Sequence, residues 1–365
     1  MDSDATPRRL GTTNAKLWSG RLRYWLGIVW VGGEWLGMSL RRLGRVAGIF
    51  IGVLLVGFVG LWIFLYRADA TSSAPRGFGS ERQIYASLIL RAMRLVDMNP
   101  PVPAGVFERL GVEFKRVGER RLLLDIHSPS NSVGKVPALI FIHGGAWRTG
   151  RRQDYRVYTT YFATRGYVAA TIDYRLFPEG KVDEQLSDCQ AAVGWVRANA
   201  ETLGVDPERI VVVGGSAGGH LSLLVGYTAA QAEAKAAPGW RDPHRVAAVV
   251  DLYGPTDLTA PEANDVSVVK DLMGGTLASA PERWRRASPL FLVGSNTPPT
   301  LIFQGSIDRI VLAKQSDVLA DKLKATGVRY DYERLEGWPH TMDATRPMNA
   351  FCRQRIEQFL QSVLK

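Results

Sequence analysis

The five residues Gly214-Gly215-Ser216-Ala217-Gly218 restrict the fold more than any other part of the chain. They directly follow the apolar run Ile210–Val213 and directly precede the helical run His220-Leu221-Ser222-Leu223-Leu224-Val225. A strand that turns sharply into a helix strains its middle residue, and glycines two positions before and after remove the side chains that would clash. The Ser216 hydroxyl is then held at the sheet edge, at the positive end of the following helix. Without that setting the same five residues would be a tight turn that merely carries Ser. With it, Ser216 is a candidate nucleophile.

From Val112 onward, strand-like runs alternate with helical patterns, which predicts a mostly parallel sheet covered on both faces. Val112–Arg116 and Leu122–His127 read as an opening antiparallel pair across Gly118. Ala138–Ile142, Tyr167–Ile172, Ile210–Val213, Ala247–Leu252, Thr300–Phe303 and Arg329–Leu335 read as buried strands, with helices near 154–164, 184–202, 216–230, 313–325 and 347–363. A chain of 365 residues, 46% hydrophobic, can bury a sizeable core without covalent staples. Cys189 and Cys352 both fall inside predicted helices, so they read as separate packed thiols and exclude a disulfide scaffold or a cysteine metal cluster. No phosphate loop of the G-x-x-x-x-G-K-[ST] type is present, so neither a metal nor an organic cofactor is expected.

A serine alcohol needs a base. Of the five histidines, His127 lies in an opening strand, His143 precedes Gly144-Gly145, His220 sits in the helix after the serine turn, and His244 lies in the polar loop Arg241-Asp242-Pro243-His244. His340 follows the last strand in Gly337-Trp338-Pro339-His340 and is the preferred base, with His220 and His244 as alternatives. The base in turn needs an acid to fix its tautomer. Asp308, after the strand Thr300–Phe303, supplies it; Asp257, in Tyr253-Gly254-Pro255-Thr256-Asp257, is the runner-up and suits a turn role. Charge developing on a substrate oxygen needs backbone donors already aimed at it. The loop His143-Gly144-Gly145-Ala146-Trp147 offers the N–H groups of Gly144 and Gly145, and Ala217 a third, as a candidate oxyanion hole. Trp147 is a candidate wall of the substrate pocket, with core packing as the alternative.

From about Leu122 to Leu360 the chain resembles the α/β-hydrolase superfamily. It is most similar to the esterases with an HGGxW-type oxyanion loop, the carboxylesterase, feruloyl-esterase-like and hormone-sensitive-lipase-like groups. The stretches that carry this are LLLDIHSP (122–129), IHGGAW (142–147), DYRLFPEG (173–180), DPERIVVVGGSAGGH (206–220), SPLFLV (288–293), PTLIFQGSIDRIV (299–311) and GWPH (337–340). The resemblance implies an eight-stranded α/β-hydrolase fold and a serine hydrolase cleaving carboxylic esters through an acyl-enzyme on Ser216. Gln304 stands where many relatives have His, and His127 where many have Tyr. DYRLFPEG resembles prenylcysteine methylesterases, so a prenylcysteine methyl ester or an aryl formamide is an alternative substrate, and a non-catalytic binding relative a third reading.

Six of the ten net positive charges lie within residues 1–67, so the basic excess is local and does not indicate nucleic acid. Between Arg45 and Arg67 the run Val46 to Tyr66 carries no charge. As a helix it reaches roughly 32 Å, enough for a hydrocarbon core of about 30 Å. Arg41, Arg42 and Arg45 before it and only Arg67 after it place the upstream side in the cytoplasm and the rest of the chain outside. The expected organisation is a basic segment at 1–45, a signal-anchor helix at 46–66, a linker and amphipathic cap helix at 67–108, and a catalytic domain at 109–365. Ala68-Asp69-Ala70 leaves a cleaved signal peptide as the alternative to the anchor. Residues 24–40, rich in Trp, suit a helix lying on a bilayer or a first span, and either preserves the orientation. In the cap helix, Ile84, Leu88, Ala92 and Leu95 form the apolar face and Ser87, Arg91 and Arg94 the polar one.

Overall fold

A computed structural model describes residues 30–31, 34–35, 40–65, 74–132 and 134–365. The chain divides into two units, Met1–Phe64 and Leu65–Lys365. In the first, Trp30–Val31 pairs antiparallel with Glu34–Trp35, and Leu40–Leu65 forms a helix. A helix therefore occupies the run expected to be a signal anchor. Its described side chains between 47 and 58, Phe50, Val53, Leu54 and Val56 among them, are exposed. That stretch alone measures about 18 Å, and among the described residues no helix is long and apolar enough to cross a membrane. The expectations for the basic segment before residue 30, for most of 24–40 and for the alternative cleavage site at 68–70 lie outside the described residues.

The second unit is built on eight strands: β1 Val106–Val117, β2 Arg120–Pro129, β3 Val136–Ile142, β4 Val168–Ile172, β5 Val205–Gly215, β6 Ala248–Leu252, β7 Thr300–Gly305 and β8 Tyr330–Leu335. They form one sheet in the order β1-β2-β4-β3-β5-β6-β7-β8. The β1–β2 and β2–β4 pairs are antiparallel and the remaining pairs parallel. The mostly parallel eight-stranded sheet is as expected. Its central strands are apolar runs because both faces are covered. Alternate side chains serve opposite layers: Ile140, Ile142 and Val212 face one core, while Leu139, Phe141, Val211 and Val213 face the other.

Helices α3 Val182–Ala198, α4 Ala217–Lys235 and α5 Lys314–Ala325 cover the first face, burying Cys189, Leu221 and Leu319. Helices α2 Arg156–Thr164 and α6 Arg346–Val363 cover the second with Phe162, Phe351 and Phe359. Both cysteines are free and buried, as read from the sequence. The helix expected over 184–202 stops at Ala198 and resumes as the turn Ala200–Leu203, closed by Gly204 in the left-handed region. Between β6 and β7, three short helices at Pro261–Asn264, Ser267–Met273 and Pro281–Arg286 bury Ala263, Val269, Leu272 and Trp284. They are too brief to show helical periodicity in sequence.

Helix α1, Glu81–Ile89, is shorter than the amphipathic stretch expected. The chain turns at Arg91, whose φ is 55°, and the helical phase is lost beyond it. Within the helix, Ser87 shares the buried face with Ile84, three residues before it, and donates to its carbonyl at 2.7 Å; beyond the turn Met93 is buried and Leu95 faces out. Ile84 and Met93 join the second core, so the cap helix packs into the same unit as the sheet.

Candidate active site

Strand β5 ends at Gly215, and α4 begins at Ala217. Ser216 between them has φ 56° and ψ −122°, a conformation that costs a non-glycine residue about 1–3 kcal/mol. The neighbouring backbone holds it there: Ser216 N–H donates to the Leu252 carbonyl at 2.8 Å, and its own carbonyl accepts from His220 N–H at 3.0 Å. A Cβ added at Gly214 would lie 2.2 Å from the Gly218 carbonyl oxygen, and one at Gly218 2.0 Å from that of Ile142. The turn is tight enough that only glycine fits on either side of the serine.

His340 lies in the loop between β8 and α6, and Asp308 follows β7. The fold brings both to Ser216: His340 Nε2 is 2.9 Å from Ser216 Oγ, and His340 Nδ1 is 2.7 Å from Asp308 Oδ2. A carboxylate can only accept, so Nδ1 carries the proton and Nε2 is left to accept from the serine hydroxyl. The Asp308 side chain is fully buried and that of His340 nearly so. Asp308 Oδ1 accepts from the N–H groups of Ile310 at 2.8 Å and Val311 at 2.9 Å. The Tyr253 ring packs edge-on against the imidazole, centroids 4.7 Å apart.

Gln304 is the partner that sequence reasoning passed over as lying outside the triad. Its amide donates to Asp308 Oδ2 at 3.2 Å and to the Val311 carbonyl at 3.1 Å, while its carbonyl accepts from Ser316 Oγ at 2.9 Å. It steadies the oxygen that faces His340. Gln304→Ala should lower kcat roughly ten- to a hundredfold with KM little changed, because misplacing a catalytic group by about 1 Å is worth that much. Steady-state kinetics on one ester checks it, and an unchanged kcat would remove Gln304 from any positioning role.

The loop after β3 approaches the serine closely. A Cβ at Gly144 would lie 2.7 Å from the Gly215 carbonyl oxygen and 3.3 Å from Ser216 Cβ. Among the described residues no acceptor engages the backbone N–H groups of Gly144, Gly145, Ala146 or Ala217, so the three donors named from sequence gain a fourth in Ala146. Its φ of 52° has no signature in the sequence. His143 anchors the loop: its ring stacks on Tyr174 at 4.4 Å, its Nδ1–H donates to the Gly144 carbonyl at 2.8 Å, and burial holds its pKa below the ordinary range.

Residues 124–323, more than half of the chain, match the BD-FAE family model. The chain belongs to the BD-FAE family. Esterase LipC of Mycobacterium tuberculosis is 34% identical over 259 residues, covering 68% of this chain and 64% of LipC. Isoprenylcysteine alpha-carbonyl methylesterase ICME of Arabidopsis thaliana is 27% identical, covering 60% of this chain and 53% of ICME. The chain thus spans less than two thirds of the length of these curated relatives. Among solved structures, the apo form of Thermogutta terrifontis esterase 2 superposes with a TM-score of 0.60 at 26% identity, covering 73% of this chain and 98% of that one. The expected α/β-hydrolase esterase kinship is therefore met.

In this BD-FAE member the remaining histidines are held by other partners. His127 lies 2.9 Å from Glu108, and His244 lies 3.2 Å from Asp242. Asp257 accepts from Thr259 in a turn, as expected of it. His220, the alternative base, is fully buried; its Nδ1 accepts from Trp147 Nε1 at 3.3 Å and its Nε2 donates to the Ala287 carbonyl at 2.8 Å. Burial lowers its pKa to about 4. The unfolded chain thus binds a proton that the folded chain refuses. The stability this contributes is present above the ordinary pKa of 6.5 and is lost as pH falls toward 4. The loss amounts to about 3 kcal/mol. Thermal melts between about pH 7 and pH 4.5 should therefore fall less steeply for His220→Gln than for the unsubstituted chain, and parallel slopes would refute the assignment.

Trp147 is 4% exposed and packs in the core, yet its indole also lines a cavity of about 100 Å³ with Ala146, Ser216, Leu258, Val269 and Val311. A wider cavity of about 640 Å³ also reaches Ser216, lined by Gly145, Tyr158, His340, Asp343 and Asn349. In it lies a buried network that the sequence did not disclose. Tyr253 Oη donates to Asp343 Oδ1, and Tyr158 Oη donates to Asp343 Oδ2 at 2.8 Å. Burial pushes the Asp343 carboxyl up and these phenols oppose it. The partners are 90 and 185 residues from Asp343 along the chain, so no local pattern joins them. Among the described residues, no group of three or more His, Cys, Asp or Glu could hold a metal ion.

Proposed function

We propose that the chain is a serine hydrolase of carboxylic esters in which Ser216 is the nucleophile, His340 its general base and Asp308 the acid that orients the imidazole. The observation that carries the reading is the 2.9 Å approach of His340 Nε2 to the strained Ser216 hydroxyl, with Asp308 at 2.7 Å behind it. Ser216 Oγ attacks the ester carbonyl while its proton passes to His340 Nε2, and the resulting imidazolium is stabilised by Asp308. The carbonyl oxygen, now an anion, is received by the free N–H groups of Gly144, Gly145 and Ala217, with Ala146 beside them. His340 then returns the proton to the departing alcohol as the carbonyl–oxygen bond breaks, leaving an acyl-serine. Water, deprotonated by His340, attacks that acyl group and releases the acid. The wall role of Trp147 is supported by its place in the smaller cavity beside Ser216.

The names of the relatives agree with this chemistry, and Thermogutta terrifontis esterase 2 has been solved phosphorylated by paraoxon. A fluorophosphonate probe is therefore the direct test: it should label Ser216 in this chain and leave Ser216→Ala unlabelled. Labelling at another residue, or none, would end the reading. A methyl ester of a prenylated cysteine is the second reading, favoured by the likeness to ICME. Assays on that substrate beside p-nitrophenyl esters separate the two.

The membrane anchor belongs to the same proposal. It rests on the uncharged run from Val46 to Tyr66 with Arg41, Arg42 and Arg45 before it, within a helix from Leu40 to Leu65. By the positive-inside rule the catalytic unit lies on the extracytoplasmic side. Protease added to intact cells should then cut within 71–79, and resistance there would argue against export.

A further inference from the structure

The large apolar side chains left in solvent by the catalytic unit include a group at the mouth of the site. Ile89 is 80% exposed, Ile310 75%, Tyr85 62% and Leu95 55%. They come from α1, the segment after it and the loop after β7, and Ile89 stands one helical turn from Tyr85 on the same face of α1. Tyr85, Leu95 and Ile310 line a cavity of about 240 Å³ together with His340, and Ile310 also lines both cavities that meet at Ser216. Monomers in water rarely leave such a patch uncovered. The charges around it are mostly of one sign: Arg82, Arg91, Arg94 and Arg309 are exposed, with Glu81 and Asp97 as the acids on the same segments.

We propose that this rim rests on an anionic phospholipid surface and that the substrates are esters drawn from the lipid phase. Aromatic and branched side chains enter the boundary between headgroups and acyl chains, and arginines pair with anionic headgroups. Residues 66–80 separate the helix Leu40–Leu65 from α1, a tether of at most about 50 Å even fully extended. The substrate class rests on the reading of Ser216 as nucleophile; the lipid contact does not.

The test uses the full chain reconstituted into vesicles of phosphatidylcholine, with or without about 30% phosphatidylglycerol. Cys189 and Cys352 are buried, so Ile89→Cys can carry one environment-sensitive fluorophore, with Lys322→Cys on α5 as the reference position. Emission from position 89 should shift to the blue, more so with phosphatidylglycerol, while position 322 stays water-like. Equal shifts at both positions, or none at 89, overturn the proposal. So does a concentration-dependent shift at 89 in detergent without lipid, which would mean that a second copy covers the rim. In parallel, the triple variant Ile89→Glu, Arg91→Glu, Arg94→Glu should hydrolyse a vesicle-dissolved decanoate ester about tenfold more slowly and keep its rate on a soluble acetate ester within about twofold. Equal loss on both esters also overturns it. An unsubstituted chain inactive on both esters refutes the hydrolase reading and leaves the fluorescence result to stand alone.

Discussion

Replacing Ser216 by Ala should lower kcat on a carboxylic ester by roughly 10⁴- to 10⁶-fold and leave the fold intact. The substitution removes one oxygen from a position where backbone hydrogen bonds to Leu252 and from His220 hold the main chain, so the site should keep its shape and lose the proposed nucleophile. Ester can still bind, and KM should move little. His340→Ala should cost a similar factor, and the double variant should be hardly worse than either single one, because the pair works as a unit. Single-turnover measurements on the purified chain settle it: a loss below about a hundredfold would mean that another group carries the attack.

Gly218→Ala should be the most damaging small substitution to stability, at about 3 kcal/mol or more. The added methyl would sit 2.0 Å from the Ile142 carbonyl oxygen and 2.7 Å from that of His143. Both atoms belong to the backbone leaving β3, so neither can swing aside as a side chain would. Either α4 withdraws from the sheet or the glycine loop shifts, and the second change also moves Gly144 away from Ser216. Urea unfolding gives the stability and ester turnover the activity, and both should fall. Gly294→Ala is the comparison, since its methyl would approach nothing closer than Asn296 Oδ1 at 3.7 Å; it should change stability by less than about 0.5 kcal/mol. Similar losses at the two positions would mean that helix and loop are less tightly apposed than described.

The serine turn, the glycine loop and the order of Ser216, Asp308 and His340 along the chain could be read before any coordinates, because each follows a strand and strand ends are marked by apolar runs meeting glycine. The central strands β3 to β7 were legible for the same reason: strands buried on both faces have no polar side to interrupt their apolar runs. What stayed hidden depends on residues distant in sequence or on conformations with no residue signature. The Asp343 network joins Tyr158 and Tyr253 from separate elements. Ala146 takes a positive φ although Ala gives no hint of it. Gln304 was noticed only as a departure from relatives, and its contact with Asp308 needs the turn between them to be closed. At the cap helix an unbroken period carried the reading past Ile89, where Arg91 in fact reverses the chain.

Ile310 carries two assignments at once. Its N–H holds Asp308 at 2.8 Å, and its side chain stands three-quarters exposed and lines the three cavities described above. The first belongs to the backbone, so any residue but proline keeps it, and substitutions of the exposed side chain should change which esters enter while leaving Asp308 held. Directed evolution toward bulkier esters should find its first tolerated changes at this residue, with proline alone excluded.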